Sequence, residues 1–147
     1  KQILAIPIAI GDKLKFDSFY LSSNIPGSAT HGFGNPESEG VEFDPTHEQG
    51  MLGISLDEFI NLDSVLFPNH IKIDVDGLEM QIVKNMKVLL SDRRLKSIIV
   101  ELKDSLSNGE IERIILSHNF EIVFEEKVGH HDGIIKNVLF TRPNNDD

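Results

Sequence analysis

In the segment HIKIDVDGLEMQIVKNM, residues 70–86, an apolar run ends in Asp74, Asp76 and Glu79, with Gly77 among them, and a helical pattern follows. Ordinary turns use one Asp or Asn and a Gly, so the excess acid asks for a further role. Carboxylates so placed can hold a divalent cation, accept hydrogen bonds from ribose or amine groups, or handle a proton. They also have a structural use, with Asp76 at a helix N-cap and Glu79 near the third position, both favoured by the macrodipole. Asp74 fits that use least, because a carboxylate at the mouth of a buried strand is poorly solvated without a partner. Other candidates are His31 in a long loop, the pair His130-His131 in a hairpin turn, and Glu101 at the end of another apolar run. Gly32 and Gly34 in HGFG have the composition of a phosphate-cradling loop but no helix after them. An EF-hand is excluded, because DVDGLE lacks the ligand spacing required after the glycine.

The elements that must position these residues follow from periodicity. ILAIPIAI (3–10) reads as a strand closed by Gly11-Asp12, and Pro7, which cannot donate to a ladder, puts it at a sheet edge. FDSFYLS (16–22) reads as a weaker strand to which MLGIS (51–55) pairs back. Between them, residues 23–50 are rich in Gly, Pro, Ser and acid and lack a period, which predicts a long loop or insertion. Asp57 is expected to cap the short helical piece EFINL. His70–Val75 reads as a strand buried on both faces. One helix is predicted from about Leu78 to Leu90, with Ile82, Val83, Met86, Leu89 and Leu90 facing the sheet. SIIVEL (97–102) is a further buried strand, and NGEIERIILSHN a further helix with Asn119 as its left-handed stop. FEIVFEEK (120–127) and GIIKNVLFTR (133–142) should form an antiparallel pair. The alternation predicts an α/β fold with a mostly parallel sheet and a C-terminal antiparallel hairpin. In such sheets ligands bind beyond the carboxyl ends of the strands, where Asp12, Asp74, Asp76 and Glu101 lie.

A chain of 147 residues suits a single domain, residues 1–147. Its 14 basic and 24 acidic residues give a net charge of −10, which argues against nucleic acid and against an anionic membrane surface as partners. The absence of cysteine removes disulfides and thiolate metal sites and accords with a reducing, cytoplasmic setting. No apolar run approaches the roughly 20 residues that span a bilayer. The chain enters an apolar strand at once from Lys1, so it is read as a piece of a longer protein.

The ordered set Leu56-Asp57-Glu58, Lys72–Glu79 and Ile98–Glu101, with IPIAIGD before it and NFEIV after it, resembles the FkbM family of S-adenosylmethionine-dependent methyltransferases. The resemblance covers nearly the whole chain and is weakest over residues 23–50. It implies the Rossmann-like class I methyltransferase sheet, of strand order 3-2-1-4-5-7-6, with Ile3–Ile10 as the third strand, His70–Val75 the fourth and Ser97–Leu102 the fifth. It implies S-adenosylmethionine as cofactor, with Asp12 facing the adenine amine and Asp74 and Val75 beside the methionine part. Asp76, Glu79 and Glu101 would then face the substrate, and Asp74 or His31 would take the acceptor's proton. The acceptor implied is the hydroxyl of a small molecule or sugar; no residue is assigned to a metal, and a homo-oligomer is compatible with it. The family's glycine-rich loop and ribose-gripping acid have no counterpart here. The chain therefore corresponds to the C-terminal two-thirds of such a domain, with a gap expected between its third and fourth strands.

Two other readings stand beside this one. Asp74-x-Asp76 could be the metal site of a nucleotide-sugar glycosyltransferase, although the helix and hairpin that follow fit a methyltransferase better. The chain could also be a non-catalytic binding module derived from a methyltransferase.

Overall fold

The computed structural model describes residues 3–63, 65–103, 108–130 and 133–143, without the side chains of 128–130 and 133–134. The chain is a mixed α/β protein with two four-stranded sheets. The first is built from β1 (Ala9–Ile10), β2 (Lys15–Leu21), β3 (Gly32–Phe33) and β6 (His47–Ile54), in the order β1-β6-β2-β3. Two further short strands, β4 (Glu37–Ser38) and β5 (Val41–Glu42), pair with each other alone. The second sheet contains β7 (His70–Ile73), β8 (Ser97–Lys103), β9 (Glu121–His130) and β10 (Gly133–Thr141), in the order β7-β8-β10-β9. Four helices complete the described fold: α1 (Leu56–Phe59), α2 (Glu79–Lys84), α3 (Lys87–Ser91) and α4 (Glu110–Leu116).

The second sheet carries the core. Along β8 burial alternates strictly, so that Ile98, Val100 and Leu102 point into one layer. There they meet Ile82, Val83, Met86, Leu89 and Leu90 from α2 and α3, Ile111 and Ile115 from α4, and Val138 and Phe140 from β10. Each such side chain contributes about 1.5–3 kcal/mol when fully buried. The parallel pairing of β7 with β8, the antiparallel pairing of β8 with β10 and the β9–β10 hairpin all match expectation. So does the return of β6 onto β2, in the register Lys15↔Gly53 to Leu21↔His47.

The expected mostly parallel sheet is not what forms. Among the described pairings only β1–β6 and β7–β8 are parallel; β2–β3, β2–β6, β4–β5, β8–β10 and β9–β10 are antiparallel. The predicted strand over residues 3–10 shrinks to Ala9–Ile10, at the edge of its sheet as Pro7 suggested, and Ile3 and Leu4 lie exposed. The strand predicted over 70–75 stops at Ile73 and has one open face: His70 and Lys72 are exposed while Ile73 is buried. β1 and β7 belong to different sheets.

The helix predicted over 78–90 is two helices. The chain breaks at Asn85 and Met86, with φ/ψ of −110°/20° and −119°/38°, yet its five predicted core residues are all buried. The reason lies in Asp57, whose carboxylate accepts the amides of Val88 at 2.8 Å and Leu89 at 3.0 Å. Asp57 thus caps α3 rather than its own helix. Ser55 caps α1 instead, in a reciprocal box with Glu58. Asn119 does end its helix with a positive φ of 62°. Residues 23–50, read as aperiodic, in fact contain β3, β4, β5 and the start of β6. Their short strands carry no alternation long enough to detect. No helix among the described residues is long and apolar enough to cross a membrane.

Candidate functional site

Where β7 ends, the chain turns through Asp74–Leu78 and meets the 29–40 segment of the first half. The contact is made by backbone. Gly77 has φ 101°, and a Cβ built there would lie 2.8 Å from the Glu39 amide nitrogen. The Glu39 amide donates to the Asp76 carbonyl at 3.1 Å. The Asp76 carboxylate accepts the amides of Thr30 at 2.7 Å and His31 at 3.3 Å. Asp76 is therefore a clasp between the two halves of the chain, where the sequence suggested an N-cap.

This clasp encloses a cleft of about 580 Å³, lined by Ile8–Gly11 of the first sheet's edge, by the 31–35 turn, and by Asp74, Val75, Asp76 and Leu78. It lies at the carboxyl ends of β1 and β7. The glycine in HGFG has a steric reason: a Cβ at Gly32 would fall 2.1 Å from the Asn35 carbonyl oxygen. That pair of glycines shapes a tight turn in the cleft wall.

Asp74 is partly exposed and pairs with Lys72 at 2.5 Å. The solvation argument made for it from sequence does not hold, because the strand beneath it has an open face. Glu101, its neighbour in β8, has its carboxyl pushed up, first by burial and then by the charge of Asp74 and a hydrogen bond to it. Glu79 is more strongly perturbed. Burial raises it to about 7, against the backbone amides of Glu79, Gly77 and Val75 that favour its ionised form, and Glu39 adds a like charge. Glu79 and Glu101 face a smaller hollow of about 160 Å³ beside the cleft, together with Lys103, and Lys103 pairs with Glu39 at 2.5 Å.

The other expected residues fall differently. His31 lines the cleft, but its ring belongs to its own loop. Nδ1 accepts the Ser22 amide at 3.3 Å, Nε2 lies 3.5 Å from Ser28 Oγ, and the ring meets Phe19 edge-on. Asp12 is outside the cleft lining. It sits 3.9 Å from Lys15 and close enough to Glu58 to repel its charge. Of the pair His130-His131, His131 lies outside the described residues.

The residues that sequence reasoning missed are Glu39, Lys103 and Lys72. Glu39 sits at a positive φ of 53° inside the segment that shows no period. Lys72 was in view in the motif, and its spacing of two residues from Asp74 along a strand was the usable signal. The carboxylates of Asp74 and Asp76 serve different partners and do not converge. Among the described residues no group of three His, Cys, Asp or Glu side chains could hold a metal ion.

Comparison with known proteins gives one family. No curated protein and no solved structure matches the chain. The family model for the methyltransferase FkbM domain matches residues 1–122, a span that contains the cleft, its clasp and both perturbed glutamates, and the chain accordingly belongs to the FkbM methyltransferase family.

Proposed function

We propose that the chain forms the methionine-side and acceptor-side part of an S-adenosylmethionine-dependent methyltransferase that methylates a hydroxyl of a small molecule or sugar. The observation that carries the proposal is the match over residues 1–122 to the methyltransferase domain, together with a cleft at the carboxyl end of β7 walled by Asp74, Val75 and Asp76. The order β7-β8-β10-β9 supports a Rossmann-like parentage, since it is the order 4-5-7-6 in which such a sheet closes.

The donor set fits part of the cofactor. Asp74 and its acidic neighbours suit a cationic sulfonium and ammonium, and Val75 offers an apolar wall. Asp12, the residue implied for the adenine amine, is not in that wall. S-adenosylmethionine supplies a methyl group already activated on sulfur. The chain's own residues must align the acceptor and remove its proton. In this proposal Asp74, paired with Lys72, takes that proton, and Glu101, whose carboxyl burial pushes up, stands beside it. His31 holds the cleft wall, with both ring nitrogens turned to its own loop. Asp76 positions that wall, and Glu79 borders the acceptor.

Titration calorimetry of the protein with S-adenosylhomocysteine tests the reading, alongside turnover of S-adenosylmethionine with candidate hydroxyl acceptors. Saturable binding and methyl transfer lost in Asp74→Asn at unchanged melting temperature are expected. Binding of manganese with a nucleotide sugar, and none of S-adenosylhomocysteine, would replace it with the glycosyltransferase reading.

A further inference from the structure

The two ends of the second sheet differ in charge. At the carboxyl ends of β7 and β8 stand Asp74, Glu101 and Glu79. At the amino ends, around His70, Ser97 and the start of β9, opens a larger cavity of about 1060 Å³. Its wall carries Arg93, Lys96 and Arg142, against Glu121 as the carboxylate among the described lining residues. In a chain of net charge −10 this local excess of cations runs against the overall balance.

The three cations differ in how they are held. Arg142 donates to four carbonyl oxygens, those of Leu90, Asp92, Leu95 and His118, which satisfy its N–H groups without cancelling its charge. Burial lowers the ionisation of Arg142, the like charge of Arg93 adds to that, and the Asp92 charge opposes both. Neither Arg93 nor Lys96 makes an ion pair among the described residues, whereas Arg94 next to them is bound to Asp92 at 2.8 Å. Arg93 and Lys96 are both exposed, and an anion entering the cavity can pair with them. The rest of the wall is apolar. Phe120 lies under the Arg142 guanidinium at 4.2 Å, Leu116 is 41 % exposed at the end of α4, and Leu139 and Pro143 close the side.

We propose that this cavity is a binding pocket for an organic phosphate, with the phosphate on Arg93 and Lys96 and the organic part against Leu116 and Leu139. A guanidinium fork beside an ammonium matches a doubly charged phosphate better than a single carboxylate. A cavity of this size with mixed lining takes a nucleotide-sized molecule. A long polyanion does not fit, because the acid of the remaining surface repels it. The pocket is separate from the methyl-transfer cleft and stands whether or not that function holds.

The test is calorimetric titration of the protein with adenosine diphosphate and with inorganic pyrophosphate. Arg93→Gln/Lys96→Gln, Leu116→Ala and Asp74→Asn are measured beside the unaltered protein. Saturable binding of adenosine diphosphate, at least tenfold weaker in the double variant at unchanged melting temperature, is expected. Leu116→Ala should weaken adenosine diphosphate and spare pyrophosphate, and Asp74→Asn should change neither. Each single glutamine substitution should give part of the loss, which keeps the test decisive if the pair fails to fold. Absence of saturable binding, binding that survives loss of Arg93 and Lys96, equal affinity for pyrophosphate, or displacement by S-adenosylhomocysteine would overturn the proposal.

Discussion

The Asp76 carboxylate accepts the backbone amide of Thr30 at 2.7 Å across a separation of 46 residues. With the Glu39 amide on the Asp76 carbonyl, this one residue fastens the 29–40 segment to the end of β7. Asp76→Ala removes the side-chain half of that clasp and should cost about 1 kcal/mol in a partly exposed setting. The cleft wall should loosen with it, so affinity for S-adenosylhomocysteine should fall more than stability does. Calorimetry and urea denaturation on the same variant separate the two effects.

Gly77 is the other half of the clasp. Its φ of 101° and the 2.8 Å approach of a Cβ to the Glu39 backbone leave no room for a side chain. Gly77→Ala should destabilise by about 1–3 kcal/mol, through backbone that cannot step aside. Chemical denaturation should show a lower midpoint and an unchanged slope. A midpoint equal to that of the unaltered protein would mean that the two segments are not in contact.

Glu79 gives a pH dependence with a defined sign. Its carboxyl is raised from 4.5 to about 7 in the folded protein, so the folded state binds the proton more tightly than the unfolded one. Below about pH 4.5 both states hold the proton and Glu79 carries no penalty. As pH rises from there through about 7, the unfolded state ionises first and stability falls, reaching its full penalty above 7. Glu79→Gln should flatten the melting temperature between pH 5 and 8 and raise it by a few degrees at pH 8. Identical pH profiles for the two proteins would show that the carboxyl is not desolvated.

Asp57 bonds two amides at the start of α3 at 2.8 and 3.0 Å. Asp57→Ala should cost about 1–2 kcal/mol, the range of a lost N-cap. Hydrogen exchange should quicken at the amides of Val88 and Leu89 before it quickens in β8. Asp57→Asn should recover part of the loss.

Long periodic segments were legible in the sequence. Ile98, Val100 and Leu102 alternate, and Ile82, Val83, Met86, Leu89 and Leu90 repeat at helical spacing, so the second sheet and its helix layer followed directly from them. Residues whose roles depend on distant backbone were not legible. Asp57 precedes a helix and looks like its cap, but the amides it serves lie 31 and 32 residues further on. The environments of Asp74 and Glu79 came out reversed, because the solvation of a strand-end acid depends on what covers the strand. β7 has one open face, and Asp74 reaches Lys72 and water, while Glu79, at the start of a helix, is turned into a hollow shared with Glu101. The family resemblance located the motif correctly and said nothing of which acid is buried.

Arg142 sets an order of events during synthesis. Its guanidinium gathers carbonyls from residues 24, 47, 50 and 52 positions earlier, and its own amide donates to Lys96. Every partner leaves the ribosome before Arg142 does. Until it emerges, the carbonyls of Leu90, Leu95 and His118 lack the donor that it supplies. A nascent chain arrested short of Arg142 should thus remain open to proteases at the 90–95 and 116–119 turns, and extension through this one residue should mark the onset of resistance.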